Sequence, residues 1–320
     1  MSIKKVYTYR FIMLALCAIL ITHHAYSQHD PQFSMNRFNL MGTNPGFAGS
    51  QEKIHVNLID RHQWYGFENA PNEQAVNLSA PFNLFGRSHG FGLSIMRDAY
   101  AFNQDISGSL SYAYKINTDD GLIGIGVKGG VYNTSLDAEW DPSDGGSADS
   151  DPLIPKADDS NYALDLGFGL FYQKENLYVG LAGNHLNTPT ITGTAEVSQL
   201  APNFYLAARY FIGLNNPAFQ LSPGIHMHTD GRLTQLDLNT YVIYNDKVWG
   251  GLSYRFGEAI VGMVGAELFK DVNLGLAYDF TLSDIGSYTQ AHGGFEIVLN
   301  YVFSLQVEKE PSEYKSIRFL

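Results

Sequence analysis

The side chains capable of chemistry are few and poorly grouped. His226 and His228 stand two residues apart, so a strand would carry both on one face, where they could touch a single metal ion. Zinc sites take at least three protein ligands, and no third stands nearby. The acidic stretch 137–159 holds Asp141, Asp144, Asp149, Asp151, Asp158 and Asp159 among Gly and Ser. Such oxygen ligands suit Ca²⁺, but the EF-hand spacing is absent, and a solvated, flexible outer loop is the default reading. Gly124-Ile125-Gly126-Val127-Lys128-Gly129 matches the dinucleotide fingerprint only as a string. That motif works by seating pyrophosphate on a helix N-terminus, and Val131-Tyr132-Asn133-Thr134 opens no helix. No catalytic set converges, and neither a cofactor nor a metal is expected.

Composition narrows the class. In 320 residues, 45% are hydrophobic and only 16% charged, below the roughly 25% charged that is usual for soluble domains. Twenty Lys and Arg against 32 Asp and Glu give a net charge of −12, which excludes a nucleic-acid binder held by phosphate contacts. Abundant Gly (32), Tyr (20) and Phe (20) suit strands and tight turns better than a helical bundle.

The elements that hold these residues begin with an export signal. Lys4, Lys5 and Arg10 precede an apolar run, Phe11 to Ile21, too short to span a bilayer comfortably. Ala25-Tyr26-Ser27 then offers small residues to a signal peptidase, so residues 1–27 read as a signal peptide and Gln28 as the mature N-terminus. Removing three basic residues and no acids takes the charge from −12 to −15. Cys17, the sole cysteine, lies inside the apolar run behind Leu16, which rules out a lipoprotein cleavage site; the mature chain is expected to have no disulfide and no thiol nucleophile.

Beyond Gln28 the signal is period-two alternation. Val272 to Phe280 carries large apolar residues at every even position and small or polar ones at the odd positions. Ile106 to Lys115, Gln235 to Tyr244 and Glu296 to Phe303 behave alike. Fourteen such segments are legible, near 52–60, 73–80, 89–97, 103–115, 121–134, 160–173, 176–184, 202–214, 217–228, 232–244, 247–256, 258–270, 271–280 and 291–305. Many reach the length a tilted strand needs to cross a bilayer. An exported chain with an even number of alternating strands reads as an all-β fold, a transmembrane antiparallel β-barrel of about 14 strands over residues 52–305. A soluble β-sandwich would also alternate, but fourteen long strands exceed an ordinary sandwich. Short connections from even to odd strands and long ones at 61–72, 135–159, 185–201 and 281–290 fit periplasmic turns and outer loops, although 81–88 reads as too long a turn. Trp64, Trp140 and Trp249 are expected in the interfacial girdles.

The polar face then lines the lumen. It would carry His55, Asn57, Lys128, Asp165, Arg209, Asp237, Arg255, Glu267, Asp279 and Glu296. Both signs occur, so opposite charges would pair across a filled barrel rather than line a selective pore. Glycines at 124, 126, 130, 167, 169, 251, 262, 265 and 275 leave room for that packing or for a plug. Residues 28–51 read as a Pro- and Asn-rich extended periplasmic segment, free to tuck into the lumen or lie across the mouth, and 306–320 as a charged C-terminal tail.

That N-terminal segment holds Asp30-Pro31-Gln32-Phe33-Ser34 and Asn44-Pro45-Gly46-Phe47-Ala48-Gly49, and at these residues it resembles the PorP/SprF family, outer-membrane proteins of the Bacteroidota type IX secretion system. The family's D-P-Q-F-S is present as Asp30-Pro31-Gln32-Phe33-Ser34, and its N-P-A-[YF]-A-G as Asn44-Pro45-Gly46-Phe47-Ala48-Gly49, with Gly46 where Ala is usual. Arg61-His62-Gln63-Trp64 with Ala70-Pro71 looks like its R-x-Q-W…A-P element. Ser253-Tyr254-Arg255 and the run Tyr278 to Asp284 look like its late-strand signatures. The resemblance implies a non-catalytic barrel in the cell outer membrane. It would work with periplasmic type IX components and support secretion or surface attachment of cargo, including gliding adhesins. It also motivates Asp30, Pro31, Gln32, Phe33, Asn44, Pro45, Phe47, Gln63 and Trp64 as partner-docking candidates. Two other classes stay open. One is a transport barrel for a small or hydrophobic solute, with Arg209, Arg255 and Glu267 near its path; the other is a rim hydrolase using His226 or His185.

Overall fold

The computed structural model describes residues 30–136, 160–192, 197–283 and 293–304. The predicted signal peptide, most of the acidic loop with Trp140, and the tail lie outside them. The strands are β1 (Ile54–His62), β2 (Asn72–Leu84), β3 (Arg87–Tyr100), β4 (Asn103–Thr118), β5 (Gly121–Leu136), β6 (Ser160–Lys174) and β7 (Leu177–Asn184). They continue with β8 (Thr190–Thr192), β9 (Val197–Gln199), β10 (Asn203–Tyr210), β11 (Ile212–Gly213), β12 (Phe219–Thr229) and β13 (Thr234–Tyr244). The last four are β14 (Val248–Arg255), β15 (Ala259–Phe269), β16 (Val272–Thr281) and β17 (Gly294–Phe303).

Fourteen of them close into one antiparallel barrel. Each strand pairs with its neighbour in the chain, β10 follows β7 and pairs with β12, and β1 seals against β17 from Ile54↔Phe303 to His62↔Phe295. The two-residue β11 continues the β10 edge, and β8 and β9 form a separate hairpin in the connection between β7 and β10. Closure leaves no edge whose N–H and C=O groups would face lipid unpaired.

The burial pattern is inverted relative to a soluble protein. In β16, Gly275, Ala277 and Asp279 are buried, while Leu276, Tyr278 and Phe280 are exposed. On β6, Tyr162 and Leu164 are 71% and 72% exposed, whereas Asp165 is 5% exposed. A sandwich would bury those apolar side chains; here they form the lipid-facing belt and the charges turn inward.

One end of the barrel carries short turns and the other the long connections. The turn at 81–88 is shorter than the sequence suggests. Pro81 to Leu84 stay paired with Arg87 to Gly90, and the chain reverses at Phe85-Gly86, both at positive φ (51° and 73°) as a two-residue hairpin turn requires. Pro81 reads as a breaker yet sits within the ladder. Trp249 departs from its girdle role: it is 6% exposed and packs inward against Tyr241 and Phe38, while Trp64 lines the cavity at the long-loop end.

Residues 30–50 are not extended. They enter the lumen and fold into a 3₁₀ turn (Asn36–Phe38), one α-helical turn (Leu40–Thr43) and a second 3₁₀ turn (Pro45–Phe47). Asn44 caps the last one by accepting the Gly46 N–H at 2.8 Å, with Pro45 following it where a missing N–H costs nothing. Two apolar clusters hold this plug. Phe33 and Met35 pack with Ile59, Tyr241, Trp249, Val261, Met263 and Val298, and Leu40, Met41, Phe47 and Ala48 pack with Ala113, Phe171 and Ala207.

Candidate functional site

The polar contacts between plug and wall fall at three levels. Nearest the short-turn end, the Asn44 side chain donates to the carbonyls of Leu170 (3.0 Å) and Leu181 (3.4 Å), bonding the plug directly to β6 and β7. Lys115 donates to the Gly46 carbonyl (2.9 Å) and Ser50 Oγ (2.6 Å). Phe47 meets Phe171 edge-on at 5.1 Å. The plug backbone lies so close to the wall here that a Cβ on Gly90 would overlap the Ala48 carbonyl, and one on Gly126 would overlap Pro45. This is the use of the glycine run in β5: the wall must be bare where another backbone touches it.

The middle level is an ionic network centred on Ser34. Its hydroxyl lies 2.7 and 2.8 Å from the two Asp279 oxygens, and it accepts from Arg61 Nη1 at 2.9 Å and Arg255 Nη2 at 3.3 Å. Glu296 accepts the backbone N–H groups of Ser34 (2.5 Å) and Met35 (2.9 Å). Arg61 pairs with Asp279 at 2.8 Å, and Arg255 reaches Asp237 at 3.2 Å and Asp279 at 3.3 Å. Gln32 donates to Asp237 at 3.2 Å, and Arg61 also binds the Gln32 carbonyl. Burying these charges is tolerable because each is paired and hydrogen-bonded.

At the third level Asp30 pairs with His185 Nε2 at 2.8 Å, and His185 Nδ1 pairs with Asp165 at 2.9 Å; Asp165 also meets Lys128 at 3.4 Å. Burial works to raise the Asp30 carboxyl, but His185, His228 and the Tyr205 hydroxyl hold it well below the usual carboxylate range. Burial likewise works to lower the His185 imidazolium, and the two carboxylates hold it at about 10. Above this lies a cavity of about 670 Å³ at the long-loop end, lined in part by Trp64, Phe67, Asp98, Tyr100, Asp105 and Tyr132.

The predicted residues are thus placed as follows. Asp30, Gln32, Phe33, Asn44, Pro45 and Phe47 are occupied in holding the plug, Pro31 and Trp64 line the cavity, and Gln63 donates to Glu73. Lys128, Asp165, Arg209, Asp237, Arg255, Asp279 and Glu296 are buried in the lumen, with Asn57; His55 is half-buried, and Glu267 sits half-buried near the short-turn end. His226 and His228 are both buried on the inner face; Tyr205 stacks on His228 at 4.6 Å, and His228 meets Asn203 at 3.0 Å. Among the described residues no three His, Cys, Asp or Glu converge as metal ligands. Sequence reasoning missed Glu73, Asp98, Asp105 and Lys115, whose inward parity alone could have flagged them.

One pattern decides the identity. Asp30, Gln32, Ser34, Arg61, Arg255 and Asp279 come from four separate sequence motifs and meet in the contacts that seat the plug. The sequence profile described as "Type IX secretion system membrane protein PorP/SprF" matches residues 25–301. The chain belongs to the PorP/SprF family. As a PorP/SprF protein it is a membrane component of the type IX secretion system, and its place is the outer membrane.

No curated protein matches the chain in sequence. Solved structures with similar folds are outer-membrane barrels of low identity. Omp33 of Acinetobacter baumannii is 8% identical at a TM-score of 0.44, covering 80% of this chain and 100% of its own. A deletion mutant of the TodX monoaromatic hydrocarbon channel is 13% identical at 0.49, covering 82% and 93%. A porin mutant from Rh. blastica is 9% identical at 0.32, covering 78% and 99%.

Proposed function

We propose that this PorP/SprF protein is a non-catalytic, internally plugged barrel that supports secretion or surface attachment of cargo proteins, gliding adhesins among them, and docks periplasmic type IX components. The observation that carries the reading is that the residues giving the family its signature build the plug and its seat rather than a reaction centre. A hydrolase reading lacks an accessible free base: both ring nitrogens of His185 are bound to carboxylates, and His226 is buried at 5% exposure. A solute-transport reading lacks a path past the Ser34 network, where Arg255 and Arg61 are 1% and 2% exposed. In this reading the short turns face the periplasm, the long connections meet cargo, and the buried docking candidates act by shaping the barrel or by leaving it.

The test removes residues 28–50 and verifies that the barrel still inserts in the outer membrane. Loss of cargo from the cell surface is the expected result. Unchanged secretion would show that the segment has no part in the process and would sink the proposal.

A further inference from the structure

Five neighbouring strands place one charged residue each in a single cross-strand row of the wall. Glu296 on β17, Arg61 on β1, Glu73 on β2, Asp98 on β3 and Asp105 on β4 are successive cross-strand partners. Arg61 lies 3.9 Å from Glu296 and 3.7 Å from Glu73 and gives that half of the row a counter-charge. The other half is two aspartates with no base. Among the described residues no Lys, Arg or His nitrogen lies within 4.0 Å of either Asp98 or Asp105. Arg97 does not help, because it points to the other face of β3 and bonds Gln74 and Gln104. Like charges directly opposite each other on a sheet repel, so the arrangement favours a cation, or a shared proton, between them.

The aspartates also have unused acceptors. Asp105 is 6% exposed; its Oδ2 takes hydrogen bonds from Tyr132 (2.7 Å) and Tyr100 (3.1 Å), while its Oδ1 has no partner. Asp98 Oδ1 is likewise buried without a partner. Both residues line the cavity at the long-loop end, whose walls also include Trp64, Phe67, Tyr100 and Tyr132. A buried carboxylate oxygen with no donor is costly, and such exceptions mark places where a ligand is missing.

We propose that this cavity binds a protonated amine, with the ammonium group between Asp98 and Asp105 and its apolar stem against the aromatic wall. An ammonium offers up to three N–H donors, enough for both free oxygens, and aromatic faces favour a cation beside them. A hard divalent cation fits less well: it demands six or more oxygen ligands, and no three-ligand group exists among the described residues. The chemistry is shared by a free alkylamine and by a lysine side chain on a peptide.

Calorimetric titration of the full-length protein in detergent separates these sources. The probes are n-butylammonium chloride and Nα-acetyl-lysine amide, with 1-butanol and Nα-acetyl-norleucine amide as neutral counterparts. At least one amine is expected to bind, and its neutral counterpart is expected to bind about tenfold or more weakly. D98N/D105N should abolish that preference, and E175Q at the opposite end should leave it intact. Binding of butylammonium assigns the site to free amines; binding of the lysine amide alone assigns it to peptides. The proposal falls if neutral and cationic probes bind alike, if neither amine binds, or if D98N/D105N binds like the parent. The double variant keeps the Tyr contacts and loses a repulsion, so it should fold; if it does not, D98N alone serves the same comparison.

Discussion

Replacing Glu296 by Ala removes the acceptors of two buried backbone N–H groups, those of Ser34 and Met35. Both residues are essentially inaccessible, at 1% and 0% exposure, so water cannot substitute. An orphaned buried donor costs about 1–3 kcal/mol, and two together cost about 2–6 kcal/mol. Arg61 loses a 3.9 Å ion pair as well but keeps Asp279 at 2.8 Å, so the plug contacts carry most of the effect. The cost is felt only while the plug is seated, so the released state gains population by at least ~25-fold at about 1.4 kcal/mol per factor of ten. Cys17 is the only cysteine, so Cys17→Ser with Met35→Cys gives a single reporter that is hidden in the seated plug. Its maleimide labelling should accelerate by that factor in Glu296→Ala, and by less in Glu296→Gln, where one amide oxygen still accepts. A rate within about twofold of the parent would refute the claim that Glu296 fixes the plug.

Three further outcomes follow from the same contacts. Gly126→Leu drives a side chain into Pro45 and should expel the plug while leaving strand pairing intact, seen as new conductance in planar bilayers with an unchanged β-sheet circular dichroism spectrum. Arg255→Met strands Asp237 as a buried charge, while Asp279 keeps Arg61, and should cost about 3–5 kcal/mol in denaturant unfolding, with Asp237→Asn added to it recovering part of the loss. The Asp30–His185 pair makes seating of the plug tip pH-dependent. Asp30 lies below its ordinary 3.8 when folded, so its contribution is present above that value and fades as pH falls through the lower folded one. His185 lies above its ordinary 6.5, so its contribution is complete below that value and is lost as pH rises through about 10. The labelling rate at position 35, divided by that of a free thiol at the same pH because only the thiolate reacts, should therefore be lowest between pH 3.8 and 6.5, and His185→Gln should flatten the alkaline rise.

The wall was legible in the sequence because a strand with lipid on one side and a polar interior on the other writes its geometry at period two. Val272 to Phe280 shows both faces without ambiguity, and the same rule placed Lys128, Asp165 and Asp237 inward. The plug was not legible as a fold. Its turns are three or four residues long, below the length at which local preference decides a helix, and tertiary contacts such as those with Phe171, Lys115 and the Leu170 carbonyl stabilise them. Trp249 misled for a related reason: aromatic residues suit a membrane interface, but here the Phe38 and Tyr241 rings offered a better neighbour. Asp98 and Asp105 looked like ordinary members of alternating strands, because their register against each other exists only once β3 meets β4.

The seam between β1 and β17 has a consequence for how the molecule is made. The strand on one side of that seam is the immediate continuation of the chain that occupies the hollow. A cylinder sealed first would later have to admit 21 residues, from 30 to 50, through an end and fold them in a confined space. If instead those residues collapse early against β5, β6 and β7, they serve as a mandrel around which the remaining sheet rolls until its two margins meet. On that route the filler is not cargo of the finished cylinder but the form on which its circumference is set.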